Sequence, residues 1–214
     1  MLSTIPIMVD LRGKDALIIG GGNVAYKRAN LLCESEARIT IVSPELSNQL
    51  KGMWQRKEVK WKKKKFEPED LQGAYIVVIA TNDTEVNEQV LHSAKHVPFV
   101  NVASHAERGN VQFSNYISRG KLTISISTNG ASPKLSSKIK KDLEKQFDER
   151  YEAYVDFLYE CRQRIKHSSI SKEEQNEILS TLLSEVYFDK TEQDQFKDWL
   201  ELTLKGGQKD EGAG

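Results

Sequence analysis

Cysteine is almost missing from this 214-residue sequence, with only Cys33 and Cys161 present. They form no C-x-x-C pair and no metal spacing, so neither a disulfide framework nor a cysteine zinc site is expected. Both sit in stretches of helical periodicity and read as free thiols of a reducing cytoplasm. Charge of one sign is missing too. The 31 basic residues are matched by 31 acidic ones, which leaves no general attraction to nucleic acid or to a membrane surface. No apolar run approaches the roughly 20 residues of a membrane-spanning helix. Met1–Val9 lacks the charged start and the small-residue cleavage site of a signal peptide. What remains is a highly charged globular composition, long enough for one or two domains with a real core.

The chain is organised around the stretch 14–32. Ala16 to Ile19 is a short apolar run, as in a buried parallel strand. Gly20, Gly21 and Gly22 follow, then a helical pattern with Val24, Ala25, Ala29, Leu31 and Leu32 at its apolar positions. Gly20, Gly22 and Ala25 fit the G-x-G-x-x-G/A fingerprint of a dinucleotide-binding turn. Gly20 permits the tight turn, Gly22 lets backbone approach a pyrophosphate, and Ala25 lets helix and strand pack closely. The helix start at Asn23 and Val24 offers free N–H groups to phosphate.

Further strands are read at 5–9 (a short edge strand), 37–42, 59–66, 74–80, 98–103 and 121–127, with helices between most of them. This alternation predicts an α/β fold with a doubly wound parallel sheet. The run 74–80 is apolar almost throughout and should be central. Lys60 and Lys62–Lys65 read as a solvated edge that blocks edge-to-edge pairing, in preference to a nucleic-acid patch. Ser43 and Pro44 are expected to cap and start the helix that runs to about Arg56. No acidic residue ends the second strand, where a carboxylate usually takes the adenosine ribose hydroxyls. Ser43, Pro44, Glu45 and Leu46 stand there instead, and ribose contacts are expected from the Ser43 hydroxyl and nearby backbone. Thr81 and Asn82, at the end of the central strand, should line the same crevice while Thr81–Asp83 caps the next helix. The strand at 98–103 brings Asn101, Ser104 and His105 to that carboxyl edge as candidate catalytic groups. Among them only imidazole can take up a proton near neutrality.

Ser132 and Pro133 begin a helix with Leu135, Ile139, Leu143 and Phe147 at four-residue steps, an apolar stripe for the sheet or for a partner helix. Thr128, Asn129 and Gly130 precede it, and Lys134 and Lys138 lie in its first turns, making a second anion site. From Arg150 the pattern is all helical. Tyr151, Tyr154, Val155, Leu158 and Tyr159 mark one helix, Ser171 and Glu174 a capping box, and Thr191 the cap of a last helix holding Phe196, Trp199 and Leu200. Residues 206–214 read as a disordered tail.

Four segments occur in one order and spacing: 20–29 (GGGNVAYKRA), 80–83 (ATND), 101–102 (NV) and 126–133 (ISTNGASP). Together they resemble the precorrin-2 dehydrogenase / sirohydrochlorin ferrochelatase family, strongly over residues 1–147 and more loosely beyond. The resemblance implies a Rossmann domain (1–113), a dimerisation region (114–148) and a C-terminal helical domain (149–205). It implies a homodimer and oxidation of precorrin-2 to sirohydrochlorin with NAD, a step of sirohaem biosynthesis. The substrate carries eight carboxylates, which suits the cationic helix start. Arg119 and Lys121 are further candidates for them.

One departure from the family pattern matters. After the fifth strand the family has Asn-Val-x-Asp-Asp, and here Ser104 and His105 replace both acids. Hydride transfer rests mainly on position and orientation. Metal insertion needs a base near the pyrrole nitrogens. The expectation is therefore dehydrogenase activity without ferrochelatase activity, upstream of a separate chelatase. Two alternatives stand beside it: a bifunctional enzyme in which His105 replaces the carboxylate, and an NAD(H)-sensing regulatory module without chemistry.

Overall fold

The structure is a computed structural model that describes residues 4–206. It divides into two units, residues 1–113 and 114–214.

The first unit is a five-stranded parallel sheet with strand order β3-β2-β1-β4-β5. Its elements are β1 (Asp15–Ile19), α1 (Asn23–Glu34), β2 (Arg38–Val42), α2 (Asn48–Gln55), β3 (Lys60–Lys62), β4 (Ile76–Ile79), α3 (Thr84–Ser93) and β5 (Phe99–Val102). The strand order reverses between β1 and β4, so a crevice opens at their carboxyl ends. Successive strand residues feed opposite faces, as the two-residue period requires. Ala16, Ile18, Ile39, Ile41 and Val78 pack with Ala25, Ala29 and Leu32 of α1 and Leu50 of α2. Leu17, Ile19, Val77, Ile79 and Val102 pack on the other face with Val90 of α3. Each buried Val, Leu or Ile among them contributes about 1.5–3 kcal/mol of transfer free energy.

Both sheet edges are guarded. On the β3 side, Lys62 and Lys64 reach the buried carboxylate of Asp70 at 2.9 and 3.1 Å, which also accepts from the Glu67 N–H. On the β5 side, residues 109–111 run along the strand. The Val100 N–H donates to Asn110 Oδ1 (2.7 Å), while the N–H groups of Asn110 and Val111 donate to the Val100 carbonyl. A Cβ on Gly109 would lie 2.3 Å from that carbonyl, so only glycine permits the approach.

Burial pushes the Asp70 carboxyl up, but the two lysines and the Glu67 N–H together hold it below its ordinary value. A depressed carboxyl stabilises the fold above the ordinary Asp range and loses that contribution as pH falls through the folded value. Asp70→Asn is therefore expected to lower stability by about 2 kcal/mol near neutrality. In urea melts the difference from the parent should close in acid. A gap unchanged down to the lowest pH would contradict this account.

Several sequence expectations change. Residues 5–9 form no strand, and Ile5, Ile7 and Met8 are exposed. Pro6 has no N–H for a ladder, and the β5 edge is already covered. The helix after β2 begins at Asn48 with Ser47 as its cap, not at Ser43 and Pro44. Ser43 turns inward and donates its hydroxyl to the Glu45 carbonyl at 2.7 Å.

In the second unit, β6 (Asn115–Arg119) and β7 (Leu122–Ile126) form a separate antiparallel pair. The run 121–127 is thus not a sixth strand of the main sheet. The sequence reading missed β6, its partner, which joins it through Gly120 at φ +56°, a glycine-first hairpin turn. α4 (Pro133–Gln146) follows, capped by Ser132 and with Pro133 in its first turn as expected. Then come α5 (Arg150–Lys166), α6 (Lys172–Thr181) and α7 (Lys190–Gly206). Their core is Tyr154, Phe157, Cys161 and Ile165 of α5 with Leu182 and Leu200. Phe157 takes the inward place, and Tyr159 is exposed beneath Lys121. Burial pushes the Cys161 thiol up to about 11, an unreactive state. Ser171 and Glu174 form the expected capping box. Asp189, not Thr191, caps α7, its carboxylate accepting from the N–H groups of Thr191 and Glu192. The tail expected from 206 lies outside the described residues, except Gly206, which ends α7.

Candidate active site

The crevice of the first unit is built around the three glycines. Gly20 has φ +122°, and a Cβ there would sit 2.3 Å from the Ala80 carbonyl at the end of β4. A Cβ on Gly21 would sit 1.9 Å from the Glu45 carbonyl, and the Ser47 N–H donates to the Gly21 carbonyl at 2.8 Å. Gly22 differs from both. Nothing lies within 4 Å of where its Cβ would be. Gly22 is the N-cap of α1, with no side-chain cap and no acidic residue in the first turn. α2, α3, α4 and α6 all have side-chain caps. Open space at an uncapped helix start fits a pyrophosphate group. Asn23 and Val24 form that start and are both exposed.

After β2, Ser43 is buried with its hydroxyl committed to Glu45, and the Leu46 side chain is in the core. Pro44 and Glu45 are exposed. With its proton donated to Glu45, the Ser43 hydroxyl could meet a ribose hydroxyl only as an acceptor. After β4, Thr81 is half-buried and Asn82 exposed. Thr81 Oγ1 accepts from the Asp83 N–H, and Asp83 caps α3.

After β5, Asn101 is 2% exposed and its amide donates to the Val111 carbonyl. That bond suits positioning of the following segment, while the buried Asn101 amide oxygen has no hydrogen-bond partner among the described residues. Ser104 and His105 are exposed, with His105 Nδ1 3.0 Å from Ser104 Oγ. The loop is fastened to α3 by a two-pronged ion pair from Arg108 to Glu88, at 2.5 and 2.6 Å. That hydrogen bond holds the Glu88 carboxyl below its ordinary value. The pair gave no motif in the sequence, since its members lie 20 residues apart.

In the second unit, Asn129 and Gly130 both have positive φ. Thr128 Oγ1 accepts from the Ser132 N–H, and Asn129 Oδ1 accepts from the Ser127 hydroxyl. The next turns of α4 carry Lys134, Ser137, Lys138 and Lys141 around an open hollow of about 430 Å³. Among the described residues these three lysines have no ion-pair partner. Lys141 was not singled out from sequence, yet it stands one turn beyond Lys138 on the same face. Lys121 is taken by Asp156 at 2.6 Å. Arg119 donates to the Ser118 carbonyl, and its buried Nε has no partner among the described residues.

Comparison with known proteins agrees along the chain. A family model for NAD(P)-binding domains matches residues 7–115, one for the sirohaem biosynthesis protein central region matches 119–146, and one for the SirC C-terminal domain matches 151–196. The precorrin-2 dehydrogenase of Priestia megaterium is 39% identical over 181 residues, covering 85% of this chain and 90% of that protein. This chain belongs to the precorrin-2 dehydrogenase family. The Bacillus subtilis (strain 168) precorrin-2 dehydrogenase is 35% identical, covering 75% of this chain and 99% of that one. The solved structure of SirC, a precorrin-2 dehydrogenase, superposes with a TM-score of 0.79 at 36% identity, covering 92% of this chain and 99% of that one.

In this precorrin-2 dehydrogenase family member the glycine turn at Gly20–Gly22 lies against the end of β4 at Ala80 and Thr81. Among the described residues no group of His, Cys, Asp and Glu could hold a metal ion, and no helix is long and apolar enough to cross a membrane.

Proposed function

We propose that this chain oxidises precorrin-2 to sirohydrochlorin, with NAD as hydride acceptor. The observation that carries this reading is the end-to-end likeness to proteins named for that activity. One C–H bond of the macrocycle breaks and its hydrogen leaves with both electrons. A second hydrogen leaves as a proton, and its bonding pair joins the ring conjugation. Bound NAD+ would supply the acceptor for that hydride. The Gly22 helix start would hold the pyrophosphate, and Thr81 and Asn82 would line the crevice beside it. His105 is the group suited to take the proton. Its exposure gives water access to the same place, so position contributes more here than basicity.

Thr128–Gly130 and the lysine face of α4 recognise substrate carboxylates. Their support is the hollow with three unpaired ammonium groups on one helix face. Arg119 serves the same end by its charge beside that face. Residues 114–148 form the dimerisation region and 149–205 a helical domain. The half-buried stripe Ile139 and Leu143, with Leu135 exposed, supports a homodimer through α4. The enzyme is cytoplasmic and works upstream of a separate ferrochelatase.

The absence of both acids from 104–105 underlies that last point, because Ser104 cannot draw protons from pyrrole nitrogens at neutral pH. Anaerobic incubation with precorrin-2 and NAD+ is expected to give the sirohydrochlorin spectrum. Added ferrous or cobaltous ion is then expected to insert no faster than without protein. Accelerated insertion would sink the chelatase half of the proposal, and a bound dinucleotide with no oxidation would sink the whole.

A further inference from the structure

We propose that Asn87 of α3 is a cofactor-contact residue whose amide oxygen accepts a hydrogen bond from bound dinucleotide. The inference rests on the NAD-dependent reading and deepens it. Asn87 is half-buried at the fourth position of α3. Its Nδ2 donates to the Thr81 carbonyl at 3.2 Å, where the chain leaves β4. That contact fixes which end of the amide is which. A carbonyl only accepts, so the NH2 group must face Thr81, and the reversed amide would set two acceptors together.

The amide oxygen is therefore turned away from Thr81. It is buried from solvent and has no hydrogen-bond partner among the described residues. Buried polar atoms in native proteins are almost always satisfied. An acceptor left unmatched is unfavourable, so its donor comes from outside the chain. The location says which donor. Thr81 follows Ala80, and the Ala80 carbonyl is the atom that a Cβ on Gly20 would strike. The path Asn87, Thr81, Ala80, Gly20 runs from α3 to the fingerprint turn through close contacts. Asn87 thus holds the segment after β4 that borders the dinucleotide crevice.

Phosphate oxygens cannot satisfy this atom, because both would be acceptors. A dinucleotide's donors are its ribose hydroxyls and its amide and adenine N–H groups. The Asn87 oxygen is matched to one of those, while Gly22 and the α1 start serve the phosphates. Asn87 then does two things at once. It holds the Thr81 carbonyl in place, and it adds a contact that depends on the sugar or base portion of the ligand.

The test is calorimetric titration of the full chain with NAD+ and with ADP-ribose, beside thermal unfolding without ligand. Asn87→Ala is expected to weaken NAD+ binding about tenfold and to leave the ligand-free melting temperature within about two degrees of the parent. An equal loss for ADP-ribose puts the donor on the adenosine diphosphoribose part. A loss for NAD+ alone puts it on the nicotinamide, and either result supports the proposal. Unchanged NAD+ affinity in the variant overturns it and leaves the oxygen to an ordered water. A large fall in the ligand-free melting temperature with the ligand-induced rise intact also overturns it, in favour of a purely structural amide. Should the alanine variant not fold, Asn87→Ser is read in the same way. If the parent itself binds no dinucleotide, the functional reading fails together with this one.

Discussion

Gly20→Ala is expected to lower dinucleotide affinity by more than about a hundredfold and to destabilise the first unit by about 3 kcal/mol or more. Two independent faults combine in one methyl group. At φ +122° only glycine is comfortable. The added carbon would also lie 2.3 Å from the Ala80 carbonyl, which is backbone and cannot swing aside. Relief requires β1 and β4 to separate at the switch point, where the pyrophosphate is to be held. Titration with NAD+ and a urea melt of the same variant check both halves. Gly22→Ala makes the control, since its methyl meets nothing within 4 Å. It should fold as the parent does and lose affinity only by crowding the phosphates. Equal effects at the two positions would remove the distinction between a glycine that makes the turn and one that makes room.

Replacing Lys134 and Lys138 together by alanine is expected to raise the KM for precorrin-2 by about thirtyfold or more while kcat stays within a factor of about three. Each ammonium lost to a substrate carboxylate removes about 1 kcal/mol or more of charge-assisted bonding. The contact is made equally in the ground and transition states, so it appears in KM. The parent's KM should itself rise with salt, because exposed lysines are screened over about 10 Å at 0.1 M, and that rise should flatten in the variant. An unchanged KM would move the carboxylate site away from α4.

Much of this was legible in the sequence because the signals were local. The apolar runs of β1 and β4 and the glycine fingerprint lie within a few residues of one another, and so do Ser132 and Pro133. The misreadings came where a local pattern suited more than one partner, or where the partner had no pattern of its own. Ser43 has the composition of a helix cap, yet its hydroxyl turns to Glu45 and the cap passes to Ser47. The period of β7 was plain, but which strand it would join depended on Asn115–Arg119, whose mixed polarity concealed a strand. Gly21 looked like a spacer between two useful glycines. Only the packed fold shows the Glu45 carbonyl pressed against it. Asn87 and the Arg108–Glu88 clasp had no spacing to announce them.

The bracket that Asn110 makes on β5 has a consequence for how such enzymes change over time. Asn101 and Asn110 fasten the two sides of the 102–109 loop to the sheet by hydrogen bonds that involve none of the loop's own side chains. The loop is a cartridge clipped at both ends. Residues at 104 and 105 can be exchanged, serine and histidine for a pair of acids or the reverse, while the strand and its ladder stay as they are. Side chains at 104 and 105 can therefore change in two codons without disturbing the sheet or the glycine turn, which lies on another loop.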